Sequence, residues 1–154
     1  MRRYWDSCAF LALLENEPGT ADACAETLQD AQQGEFIILT SALTVAETLW
    51  LKDGPRLSSD KADMLNAFFK GRYIRVVNVD RRIAQASQAL VWDNGVRPKD
   101  AIHVATALLH DCPILETFDR ALIAKGRDIA GLTVREAQRA RQPSLELVRE
   151  PPAT

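Results

Sequence analysis

Phe36-Ile37-Ile38-Leu39-Thr40 is an apolar run of strand length, with helical patterns before and after it. A short run without polar alternation suits a strand covered on both faces of its sheet. The same unit recurs along the chain. Arg3–Trp5, Ile74–Val77, Pro113–Leu115 and Leu132–Val134 read as further short strands. Between them lie amphipathic segments: Cys8–Asn16 with Phe10, Leu11 and Leu14 on one face, Ala21–Gln33, Ala42–Lys52, Ser59–Gly71 and Arg81–Asp93. Ser7, Thr20 and Ser41 stand where helix N-caps belong. Ala42, Ala46, Leu49 and Trp50 form the expected apolar face of the third segment, and Ile83, Ala86 and Leu90 that of the fifth. Pro18-Gly19, Gly34, Asp53-Gly54-Pro55 and Asn94-Gly95 are the breaks. Pro98 suits the first turn of one more helix, in which Ala101, Val104, Ala105 and Leu108 recur at core spacing. Strands alternating with helices argue for an α/β fold, three layers deep, around a short and mostly parallel sheet.

A chain of 154 residues, 47% hydrophobic and 26% charged, fits one domain with a real core. We expect that domain to span 1–135, followed by a C-terminal extension over 136–154 that carries three prolines and is either mobile or partner-dependent. The net charge of −2 argues against a general nucleic-acid coat protein, although not against a local basic patch on an enzyme. Cys8, Cys24 and Cys112 are odd in number and form no CxxC pair, so reduced thiols and a cytoplasmic setting are expected. The apolar run after Asp6 is cut short by Glu15 and Glu17, which fits neither a signal peptide nor a membrane span.

Ligands of parallel α/β sheets bind beyond the carboxyl ends of the strands. Asp6 follows the first strand and Asp119 follows the fourth, with Thr117 two residues ahead of it. Glu47 and Asp100 lie on helices that follow strands or loops on the same side. The four acids are 41, 53 and 19 residues apart, so only folding can join them. Carboxylates brought together repel, and a divalent cation relieves that repulsion. Such a set of hard oxygen donors suits Mg²⁺, with Mn²⁺ as substitute.

Four pieces carry these acids: YWDSCAFLALL around Asp6, SALTVAETL around Glu47, PKDAIHVATAL around Asp100 and ILETFDRAL around Asp119. Together, in this order and spacing, they resemble the PIN-domain nucleases, in particular the toxin-type (VapC-like) ribonucleases of type II toxin–antitoxin systems. The resemblance covers most of Arg3 to Val134. It implies a metal-dependent endoribonuclease in which Asp6, Glu47, Asp100 and Asp119 are the catalytic, metal-holding acids and Thr117 is a supporting hydroxyl. It also implies an RNA substrate, a homodimer and a cognate antitoxin. The family often places a hydroxyl two residues after the first acid; here that residue is Cys8, with Ser7 beside it as the supporting candidate. Arg97, Lys99 and Arg120 flank the acids and are candidates for RNA phosphates.

The plainer readings are specific too. Asp100 could serve only its helix dipole, and a lone Asp is most often a cap. His103, one turn from Asp100, reads as a core histidine held by hydrogen bonds, and His110 as a surface residue. Trp5, Trp50 and Trp92 fit core or interface packing better than base stacking. Arg135, Arg139 and Arg141 read as a solvated face. An alternative function is a PIN-like module that binds RNA or protein with weak or no catalysis. A phosphoacceptor domain using Asp6 would want a DxD pair, and the chain has Asp6-Ser7-Cys8.

Overall fold

The computed structural model describes residues 1–49 and 56–139. Within them the order is β1 (Arg2–Trp5), α1 (Ser7–Glu15), α2 (Thr20–Gln32), β2 (Ile37–Ser41), α3 (Ala42–Glu47), α4 (Ser59–Phe69), β3 (Ile74–Val77), α5 (Arg81–Asn94), α6 (Pro98–Leu109), β4 (Ile114–Glu116), α7 (Arg120–Gly126) and β5 (Thr133–Arg135). The sheet order is β3-β2-β1-β4-β5, and every pairing is parallel. β1 is therefore central, and its neighbours β2 and β4 are buried strands.

Side chains alternate across β1, and that alternation divides the core in two. Trp5 joins Phe10, Leu14, Cys24, Leu28, Phe36, Ile38 and Leu65 under α1, α2 and α4. Tyr4 joins Leu39, Ala101, Val104, Leu115 and Leu122 under α6 and α7, with Leu90 of α5 packed at its edge. Three layers, α/β/α, result.

Several local expectations shift. Asp6, not Ser7, caps α1: its backbone is extended and its carboxylate accepts the Ala9 N–H at 3.2 Å. Gly19, at φ 82°, precedes α2, so Thr20 is a first-turn residue rather than the cap. Ser41 does cap α3, accepting from Leu43 N. That helix ends at Glu47, however, and its expected apolar face is not the buried one. Ala46 and Leu49 are exposed, whereas Thr44 and Thr48 are buried. The reason is hydrogen bonding: Thr40 donates to the Trp5 carbonyl at 2.7 Å and accepts from the Thr44 hydroxyl at 2.8 Å, and Thr48 donates to the Thr44 carbonyl at 2.9 Å. Trp50, Lys52, the Asp53-Gly54-Pro55 turn, Arg141 and the tail from 140 onward lie outside the described residues.

Arg135 is not part of a solvated face. Its Nε lies 3.6 Å from Glu116, which is fully buried. Glu116 also pairs with buried Arg3 at 3.2 Å and accepts from Trp5 Nε1 at 3.0 Å and Gln138 N at 3.0 Å. The guanidinium of Arg3 stacks 4.1 Å above the Phe36 ring and also donates to the Gln138 carbonyl. Ala137 is buried, so the chain stays against the body for a few residues past β5. Trp5 is core, Trp92 is 89% exposed and His110 is half-buried. No helix among the described residues is long and apolar enough to cross a membrane.

Candidate functional site

The chain steps from β1 outward to β2 and β3, then returns to lay β4 and β5 on the other side of β1. That reversal opens a crevice at the carboxyl ends of β1 and β4, where ligands of such sheets bind. Asp6 leaves the end of β1 there. Thr117 and Asp119 leave the end of β4. Glu47 closes α3, which starts directly from β2. Asp100 sits in the first turn of α6, whose far end feeds the start of β4, so its N-terminus returns to the same edge.

Hydrogen bonds fix these side chains from behind. Thr117 donates to Asp6 Oδ2 at 2.6 Å, and its oxygen accepts the Asp119 N–H at 3.2 Å. One hydroxyl thus ties the two strand ends together. Asp119 caps α7, with Oδ1 accepting from Ala121 N at 2.9 Å and Leu122 N at 3.2 Å. Glu47 Oε2 lies 2.9 Å from His103 Nε2, and His103 Nδ1 lies 2.6 Å from the Tyr4 hydroxyl. Ser7, although not the helix cap, stands near Glu47 and favours its charged form.

Electrostatics link all four acids, with Asp100 at the hub. Burial pushes the Asp6 carboxyl up to about 6; His103, Thr117 and the Ala9 N–H pull it back, and the charge of Asp100 adds to the rise. Asp100 is itself raised, by burial first and then by the charge of Asp119, with Glu47 contributing. Burial also works against a charge on Glu47. The hydrogen bond and charge of His103, with Ser7 and Lys99, outweigh it and hold Glu47 below the usual carboxylate range. Cys8 feels Asp6, Asp119 and Asp100, and burial with those charges pushes its thiol up to about 12, so it stays protonated.

Of the basic candidates, Arg97 acts on Asp100 and Lys99 on Glu47, so both stand at the acids. Arg120 is exposed at the start of α7, next to Asp119 in sequence. Among the described residues, no group of three or more His, Cys, Asp or Glu side chains is set close enough to enclose a metal ion by itself. Mg²⁺ seldom needs such a cage; it keeps several waters and binds through one or two carboxylates. The donors present are hard oxygens; burial first, and then their mutual repulsion, raises Asp6 and Asp100, and a hard divalent cation offsets both.

Reading the sequence placed His103 in the core, and it is 2% exposed. It did not find that His103 grips Glu47, nor that Tyr4 grips His103. No local pattern marks a contact between residues 99 positions apart.

The PIN-domain family model matches residues 3–128. The chain belongs to the PIN-domain family. No curated protein matches it in sequence. Among solved structures, this PIN domain resembles Mycobacterium tuberculosis VapC20, described as a sarcin–ricin loop cleaving toxin, at a TM-score of 0.64 and 19% identity over 80% of this chain and 95% of that one. It resembles a toxin–antitoxin complex from Klebsiella pneumoniae at 0.63 and 19%, over 85% of this chain and 95% of that one. Rickettsia felis VapBC2, bound to a DNA fragment from its promoter, gives 0.65 and 14%, over 88% and 98%. At these identities the likeness is one of fold.

Proposed function

We propose that this PIN domain is a metal-dependent endoribonuclease that hydrolyses RNA phosphodiester bonds and acts as the toxin of a toxin–antitoxin pair. One arrangement carries the reading: Thr117 ties Asp6 to Asp119, and Glu47 meets His103 one turn from Asp100, so four acids distant in sequence gather beyond the carboxyl ends of β1 and β4. Asp6, Glu47, Asp100 and Asp119 would hold Mg²⁺, or Mn²⁺ in its place. When bound, the ion supplies Lewis-acid charge at the scissile phosphate. Thr117 keeps Asp6 and Asp119 in register, His103 holds Glu47 with Ser7 near it, and Arg97, Lys99 and Arg120 meet flanking phosphates. Fold likeness to toxins and to toxin–antitoxin complexes supports the toxin role and a cognate antitoxin partner; a homodimer and a cytoplasmic setting complete the proposal.

The test is cleavage of a labelled RNA by the purified chain. Activity is expected to require Mg²⁺ or Mn²⁺, to stop in EDTA, and to fall at least 100-fold in Asp6→Asn and Asp100→Asn while both variants stay folded by circular dichroism. Cleavage that persists in both variants, or in EDTA, overturns the reading. RNA bound but never cut in Mn²⁺ would make the domain a binding module. Growth arrest on expression, relieved by a co-expressed small partner, is the expected sign of the toxin role.

A further inference from the structure

Asp6 and Asp119 are anchored to the backbone, by Ala9 N–H and by the first N–H groups of α7. Glu47 is placed differently. It is the last residue of a six-residue helix, and its carboxylate is held by a side chain, His103. A glutamate has three side-chain torsions to hold, so what grips its carboxylate decides where its oxygens sit.

The grip is rigid. His103 is 2% exposed and bonded at both ring nitrogens, and its ring packs against Tyr4 with centroids 5.7 Å apart. A carboxylate only accepts, so Nε2 carries the hydrogen that meets Glu47. Nδ1, on the other side of the ring, meets the Tyr4 hydroxyl. Tyr4 is fully buried, with Thr40, Ser41 and Thr44 near its hydroxyl. The placement follows from the elements. Tyr4 and Asp6 are two apart along an extended segment, and Asp100 and His103 are three apart on one helix, so each pair shares a face. The two elements that carry Asp6 and Asp100 therefore also carry the clamp on Glu47, which comes from a third.

We propose that His103 and Tyr4 are positioning residues for Glu47: the imidazole holds the carboxylate at the cation site, and the Tyr4 hydroxyl fixes which ring nitrogen faces it. The proposal rests on the four-acid reading above. It concerns this chain's affinity for a hard cation, separately from turnover.

The experiment is Mn²⁺ titration of the full chain without RNA, by calorimetry or electron paramagnetic resonance. His103→Phe is expected to weaken binding roughly 10–100-fold, the usual effect of losing a residue that orients a ligand. Tyr4→Phe keeps the shape, frees the ring to present a bare Nε2, and is expected to weaken binding in the same direction. It also serves if His103→Phe does not fold. His103→Gln, whose amide can donate from near the place of Nε2, is expected to recover most of the loss. In a Glu47→Gln background, His103→Phe is expected to cost nothing more. Wild-type affinity in folded His103→Phe and Tyr4→Phe, with weakened Glu47→Gln, overturns the positioning role and leaves the four-acid site standing. An additive loss in the Glu47→Gln background also overturns it. Unchanged Mn²⁺ binding in both Glu47→Gln and Asp6→Asn overturns the four-acid reading, and the clamp with it.

Discussion

Asp6 carries two duties that pull in opposite directions. As the cap of α1 and the acceptor of the Thr117 hydroxyl it holds the fold together, yet it is 3% exposed, and burial disfavours its charge. Its carboxyl is raised from 3.8 to about 6. A raised carboxyl favours the folded state most when protonated. Its contribution is complete below the unfolded value and is lost as the pH climbs through about 6. In EDTA the protein should therefore lose stability between pH 4 and pH 7 through this group, by on the order of 2–3 kcal/mol. Asp6→Asn keeps an oxygen for Ala9 and has no charge to bury. It should match or exceed the wild type in EDTA at pH 8, and lose that advantage at pH 4. Urea unfolding at the two pH values checks this; a difference that does not change with pH would refute it. The acid itself was legible in the sequence, because it ends a strand and precedes an apolar helix. The rise in its pKa was not, because burial and the neighbouring charge of Asp100 come from elsewhere in the chain.

At the scale of elements, Glu116 is the knot. It lies on β4, and its carboxylate reaches Arg3 and Trp5 on β1, Arg135 on β5 and the Gln138 backbone beyond it. A buried ion pair adds little net stability over apolar packing, but removing one partner strands the other charge. Glu116→Ala should cost about 3–5 kcal/mol, mostly by leaving Arg3 buried without its carboxylate. Glu116→Gln should cost less, since it keeps an acceptor for Trp5 and Gln138. Denaturant midpoints of the two variants test the order, and equal midpoints would show that the retained acceptor is worth nothing and the lost charge sets the whole cost. Element by element, the sequence reading did best where period and punctuation agree. β3 spans Ile74–Val77 as read, and α6 opens on Pro98. It did worst at α3. There apolar spacing pointed to Ala46 and Leu49, while buried threonine hydroxyls bonding to Thr40 and to the helix backbone set the true inner face. Such bonds depend on what the helix meets, which periodicity does not encode.

For the whole molecule, the acids meet because the sheet reverses direction beside β1, and a cation at that crevice would bind only the folded chain. Mn²⁺ at 100 times its dissociation constant should add about 2.7 kcal/mol to stability, which for a domain of this size is roughly 5–10 °C in Tm. The shift should vanish in Asp100→Asn, since Asp100 is coupled to the other three acids. Thermal melts with and without Mn²⁺ measure it, and an equal shift in the variant would place the ion elsewhere. The sequence by itself determined the alternation of strands and helices, the cores they bury and four acids in a recognisable order. These are local properties of neighbouring residues: spacing, capping and burial preference. Only the tertiary structure decided that Thr117 bonds Asp6, that Tyr4 and His103 hold Glu47, and that Glu116 locks β1, β4 and β5. Each of those contacts joins residues brought close by the pairing of β1 with its neighbours, and a hydrogen bond at 2.6–3.2 Å is set by that approach, whatever their separation along the chain.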